Sequence, residues 1–218
     1  MPIQLGKITT SPQHRLHERL NKLLVLHEAI GTAVLLRIGR STNFNRGDTA
    51  TLACSQIPIA IRVPIVGPLQ IAMANLKPDG IEIDVIPRPA EGQAFTPFAG
   101  GISAPQPVTG LQYILPTMTA PILVELYESV SDWLYSSIGH QDTWPSVLQF
   151  SRVIRHAASH GGSINMTGRS PKPVSWYGLT YSQSDNGRAV FGTDLGLGDL
   201  IALMLEMDEE LSRLGCPV

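Results

Sequence analysis

The chain has 218 residues, is 43% apolar and 16% charged, and carries a formal charge of −2. A chain of this length buries roughly 70% of its unfolded surface, so neither a disulfide framework nor a metal staple is required for folding. The charge excludes a basic surface that attracts nucleic acid or anionic lipid over the whole molecule, and the apolar content excludes a disordered acidic or basic tail.

Cys54 and Cys216 are too few and too scattered for a disulfide network or a four-cysteine zinc site. The first ten residues lack an apolar core of signal-peptide length. The apolar stretch 23–38 is broken by His27, Glu28 and Arg37, and 57–74 by Pro58, Arg62, Pro64 and Pro68. Neither offers the roughly 18 uninterrupted apolar residues of a spanning helix. A soluble cytoplasmic protein with no membrane partner is expected. Asn165-Met166-Thr167 spells a glycosylation sequon, which carries no weight without a secretion signal.

In chain order, Ser11 as a cap and Pro12 at the first helical position open a helix predicted over 12–38. Leu16, Leu20, Leu23, Leu24, Ile30, Val34, Leu35 and Ile38 recur at three- and four-residue steps, and Gly39 supplies a stop. Residues 1–40 carry a net charge of +4, with Arg15, Arg19 and Lys22 on this helix. That is either a solvated face or a set of RNA contacts.

Residues 41–116 hold ten of the seventeen prolines. Strands are expected at Leu69–Asn75 and Gly80–Ile86, where Ile81, Ile83 and Val85 alternate with Glu82 and Asp84. Lys77-Pro78-Asp79-Gly80 reads as the turn between them, and 87–110 as loop. The region is expected to be a Pro-rich β and loop insertion covering the helices.

Helices return at 121–138, with a stripe of Ile122, Leu126, Val130, Trp133 and Leu134, and at 145–160, capped by Thr143. The second carries Val147, Phe150, Ile154 and Ala157 or Ala158 on its apolar side and ends at Gly161-Gly162, which predicts a helix hairpin. A β-hairpin is expected over 174–191, turning at Asn186-Gly187. The final helix is expected over 199–214, and Gly196-Leu197-Gly198 reads as its start. With no βαβ rhythm, the fold class expected is mainly α. It is a helical bundle of about four helices forming a single domain 1–218, with the insertion 41–116 and a motif-bearing part 119–214 that includes the hairpin.

The chain has no phosphate-cradling G-x-x-x-x-G-K-[ST] motif and no G-x-S-x-G elbow. Its densest reactive cluster is Arg152-Val153-Ile154-Arg155-His156-Ala157-Ala158-Ser159-His160. On a helix, Arg152, His156 and His160 form one ridge, and Arg155 and Ser159 the next. Three readings fit. His156 and His160 have the spacing of a zinc-binding helix, but Ala157 stands where a zinc protease carries its Glu, and the arginines repel a cation. A histidine at a helix C-terminus also serves to cap it and to oppose its dipole. Alternatively, arginine binds phosphate while histidine moves protons near neutral pH, the two parts needed to cleave RNA.

Arg155-His156-Ala157-Ala158-Ser159-His160, followed by Gly161, resembles the R-x(4–6)-H motif of the HEPN superfamily, the "higher eukaryotes and prokaryotes nucleotide-binding" domains. The resemblance implies a helical bundle and a metal-independent endoribonuclease without a cofactor. It also implies a homodimer acting in toxin–antitoxin pairs, with an antitoxin partner, or in phage defence. It assigns phosphate binding and charge stabilisation to Arg155, acid or base work to His160 and support to His156. Arg152 and Ser159, with Arg15 and Arg19 from the first helix, are then candidate RNA-backbone contacts. Other members are inactive binding or assembly modules, so a non-catalytic role is the alternative. In that case the apolar stretch 57–74 is the docking surface.

Overall fold

The computed structural model describes residues 3–37, 49–65, 80–88, 111–167 and 171–217, with the backbone alone at 31–37, 53 and 111–113. The expected strand at 69–75, the turn residues 77–79, the helix stop at Gly39 and the loop 89–110 lie outside the described residues. The chain divides into two compact units, Gln4–Leu52 with Ile59–Pro107, and Met1–Ile3 with Ala53–Pro58 and Val108–Val218.

The first unit contains β1 (Gly6–Thr10), α1 (His17–Arg37), β2 (Thr49–Ala53), β3 (Ile59–Pro64) and β4 (Ile81–Pro87), with the strands in the order β1-β4-β3-β2. β1 and β3 both pair antiparallel with β4, which sets Ile8 opposite Ile83 and Ile61 opposite Val85. The alternation expected for β4 is present: Ile81, Ile83 and Val85 are buried while Glu82 is exposed. Cross-strand pairs Lys7–Glu82 (2.6 Å) and Arg62–Asp84 (3.6 Å) lie among the outward residues. Leu20, Leu23 and Leu24 are buried in the first turns of α1, which packs on β4, and Leu16 just before the helix is buried too.

α1 starts at His17, later than Pro12. The chain leaves β1 through a turn, with the His14 N–H donating to Ser11 O (2.8 Å) and the His17 N–H to His14 O (2.9 Å). The His17 ring meets Thr10 O at 3.2 Å, which fastens the helix start to the strand end. Arg15 therefore precedes the helix.

The second unit contains α2 (Leu111–Ser137), α3 (Ser146–Ser159), β5 (Val174–Trp176), β6 (Leu179–Tyr181) and α4 (Leu197–Arg213). α2 starts upstream of Pro121 and runs through both Pro116 and Pro121. Between α2 and α3, Trp144 is buried against Tyr135, and its indole donates to Gly139 O (3.0 Å). Thr143 does not cap α3. Its hydroxyl donates to His140 O (2.6 Å) within a short 3-10 turn at Gln141–Thr143, and Pro145 occupies the N-cap position.

α3 buries Leu148, Phe150, Val153, Ile154 and Ala157. Phe150 stacks on Trp176 and Tyr181, at 5.6 Å from each, and so locks the hairpin to the helix. The hairpin turns at Tyr177-Gly178, both at positive φ (46° and 87°), and not at Asn186-Gly187. A two-residue hairpin turn of type I′ needs positive φ at both residues. Tyr177 accepts that cost where its hydroxyl is held by Glu206. Asn186 instead ties a later loop to Met166, accepting its N–H at 2.7 Å. Gly196 is the N-cap of α4, in line with its reading as the helix start, and Asp199 of the first turn is fully buried.

The mainly α expectation is overturned: the fold is mixed α and β, with four helices, a four-stranded antiparallel sheet and a two-stranded hairpin among the described residues. The cause is non-local pairing. β1 precedes α1 and β4 follows it, so their ladder encloses α1 within the sheet-bearing unit. Among the described residues, no helix is long and apolar enough to cross a membrane.

Candidate functional site

The cluster Arg152–His160 occupies the second half of α3 and its end. The apolar face of α3 is committed to the core, so Arg152, Arg155 and His156 are left half-buried, while Ser159 and His160 are exposed. The helix stops because Gly161 and Gly162 take φ of 75° and 82°. The N–H groups of His160 (3.1 Å) and Gly162 (2.8 Å) both donate to Ala157 O.

His156 and His160 form a tilted pair with ring centroids 4.3 Å apart. Burial holds the His156 pKa below the ordinary histidine value, and the positive charges of His160, Arg155 and Arg152 push it the same way. His156 is thus kept neutral at pH values where a free imidazole is partly charged. A backbone hydrogen bond at Asn165 acts on His156 in the opposite, raising sense, and the Nε of Arg152 is buried without a hydrogen-bond partner among the described residues. The His160 ring makes no hydrogen bond among the described residues, so the carbonyls at the helix end do not engage it.

Arg155 is occupied. Its Nε donates to Glu128 Oε1 of α2 at 2.5 Å, its Nη2 donates to the same oxygen, and its guanidinium lies over the Tyr127 ring, 5.8 Å from the centroid. Ser159 donates to Arg155 O (3.2 Å), so its hydroxyl is turned back onto the helix. Arg15 and Arg19 belong to the other unit, where Arg19 Nη1 donates to Arg15 O at 2.5 Å. The structure therefore brings together Arg152, Arg155, His156, Ser159 and His160 on α3.

Glu128 and Tyr127 escape the sequence reading. They stand 27 and 28 positions before Arg155, and no local spacing rule links a residue on α2 to one on α3. The available signal is weak: Tyr127-Glu128 flanks the apolar stripe of α2, so the pair lies at the edge of the face turned toward a neighbouring helix. Burial raises the Tyr127 pKa, which keeps its ring neutral beneath the guanidinium. Among the described residues, no group of three or more His, Cys, Asp or Glu is arranged to hold a metal ion.

Chemically, the ridge offers two imidazoles in contact, one of them held neutral, beside two guanidinium groups. That set can accept a proton, donate one and neutralise an oxyanion. No family model, no curated protein and no solved structure matches the chain.

Proposed function

We propose that the α3 ridge is the centre of an RNA phosphodiester-cleaving site of the HEPN-like type, working without a metal. The contact between His156 and His160, with His156 held neutral beside Arg152 and Arg155, carries this reading. The ribose O2′ attacks phosphorus as His160 takes its proton, and the bond from phosphorus to O5′ breaks. The products are a 2′,3′-cyclic phosphate and a 5′-hydroxyl. Arg155, released from Glu128 by the incoming phosphate, and Arg152 stabilise the charge on the non-bridging oxygens. His156 orients His160. A homodimer supplies a second copy of the ridge, so that one histidine gives a proton as the other takes one. A cytoplasmic toxin–antitoxin or phage-defence setting, with an antitoxin as protein partner, suits such an activity.

The test is incubation of the purified chain with mixed RNA in chelator, with analysis of the new ends. Cyclic phosphate and 5′-hydroxyl ends are expected, and intact RNA counts against cleavage. One observation favours a second reading, a non-catalytic binding or assembly module: Arg155 is already satisfied by Glu128. Under that reading RNA is bound and remains whole, or a protein occupies the face.

A further inference from the structure

Beside the α3 ridge runs a connected aromatic track that the cleavage chemistry does not use. The Arg155 guanidinium lies over Tyr127, 5.8 Å from its centroid. Tyr127 meets Trp144 at 6.4 Å, and Trp144 meets Tyr135 at 4.9 Å, edge to face. Tyr127 and Trp144 are buried, whereas Tyr135, in the last turns of α2, is 49% exposed. A single exposed tyrosine is ordinary on a protein surface. This one is set apart by how it is held and by what stands next to it.

Its hydroxyl donates to Gln141 Oε1 at 3.3 Å, and its ring rests on Trp144, which is itself fixed by the indole N–H on Gly139 O at 3.0 Å. A ring already fixed in this way loses little conformational freedom when a flat partner covers it. Its neighbours are cations. Tyr135, Arg152 and Arg155 all act electrostatically on the Tyr127 hydroxyl, so the exposed ring and the two guanidinium groups surround one point. Arg155 is paired with Glu128. Arg152 has no ion pair among the described residues, and its Nε is buried without a hydrogen-bond partner. Along α3, Arg152 stands nearly one turn closer than Arg155 to the α2–α3 turn where Tyr135 and Trp144 lie. Asp132 on α2 and Asp142 in the 3-10 turn carry negative charge next to Tyr135 and disfavour a phosphate at the ring itself. The ring therefore suits a neutral, flat group, and Arg152 the anion attached to it.

We propose that Tyr135 is the stacking platform for one unpaired base of the strand whose phosphate is held by Arg152. This rests on the reading of the ridge as an RNA site, whether or not the strand is cut. The substrate class it selects is single-stranded RNA, because a base inside a duplex does not offer its face to a side chain.

The test measures fluorescence anisotropy on the full chain, with a labelled 2′-O-methyl oligouridylate and an equally long abasic phosphodiester strand. Tyr135→Phe should bind both strands as wild type does. Tyr135→Leu keeps Trp144 covered but removes the aromatic face. It should weaken oligouridylate binding about fivefold or more and leave the abasic strand unchanged. Arg152→Gln should weaken both strands alike and lower the slope of log affinity against log salt by about 0.7. Cleavage of the matching ribo-oligouridylate by wild type is read alongside. Equal losses on both strands in Tyr135→Leu, full affinity in Arg152→Gln, or no binding by wild type overturns the proposal. Wild-type cleavage with full affinity in Tyr135→Leu overturns it and leaves the nuclease reading standing. Base-dependent binding without cleavage upholds it and overturns the nuclease reading.

Discussion

The Arg155 guanidinium and the Glu128 carboxylate form one ion pair across α3 and α2, with Nε 2.5 Å from Oε1. The pair is solvent-accessible, at 31% and 45% side-chain exposure. Such pairs contribute about 1 kcal/mol or less to stability. Their effect on binding is of another kind, because a carboxylate seated on a guanidinium competes with a phosphate for the same donors. Glu128→Gln should therefore change stability in urea by less than about 1 kcal/mol. It should raise affinity for a non-cleavable 2′-O-methyl RNA severalfold in fluorescence anisotropy. A loss of affinity would show that Glu128 holds Arg155 in its working position.

His160 divides the catalytic from the structural reading of the ridge. Exposed and without a ring hydrogen bond among the described residues, it should be replaceable by Ala with a melting temperature within error of wild type. A loss of about 1 kcal/mol or more by chemical denaturation would make it chiefly a helix-end residue.

His27 on α1 is buried, and that burial lowers its pKa to about 4 from an ordinary 6.5. The folded state then binds fewer protons than the unfolded chain between these values, so stability is full above about 6.5 and falls as pH drops toward 4. The lost contribution is on the order of 3 kcal/mol. His27→Gln should flatten the stability profile across this window, as urea midpoints at stepped pH will show. An unchanged slope would place the acid sensitivity elsewhere.

Asp199 ties a distant segment to the start of α4. Its carboxylate accepts the N–H groups of Ser55 (2.8 Å), Gln56 (3.0 Å) and Gly196 (2.9 Å). Asp199→Ala leaves three backbone donors without this acceptor and should cost about 2–4 kcal/mol in denaturant unfolding. A cost under about 1 kcal/mol would mean that water replaces the carboxylate freely.

The parts of this fold legible in the sequence are those whose physics is local. α3, α4 and β4 follow from the spacing of Phe150 and Ile154, of Leu200 to Leu211, and of Ile81 to Val85, because each element buries one face and repeats at its own period. β3 was illegible because Ile59, Ala60 and Ile61 are all buried, which erases the alternation that marks a half-exposed strand. β1 has only Gly6 to Thr10 and owes its strand state to pairing with β4, some 75 positions away. Asn186-Gly187 is the better hairpin signal by residue type, yet Tyr177-Gly178 turns, because Phe150 and Glu206 fix Trp176 and Tyr177 from outside the hairpin. The α3 ridge was legible for the same reason as its helix, whereas Glu128 became visible only when α2 and α3 were packed together.

Under the proposed function, Arg155 and His160 act on the RNA backbone. It is tested most directly by comparing wild type, Arg155→Ala and His160→Ala on one RNA in chelator, at matched folded fraction. Cleavage to 2′,3′-cyclic phosphate ends by wild type alone is expected, with all three proteins equally folded. Equal cleavage by the three, or none by the wild type, contradicts it.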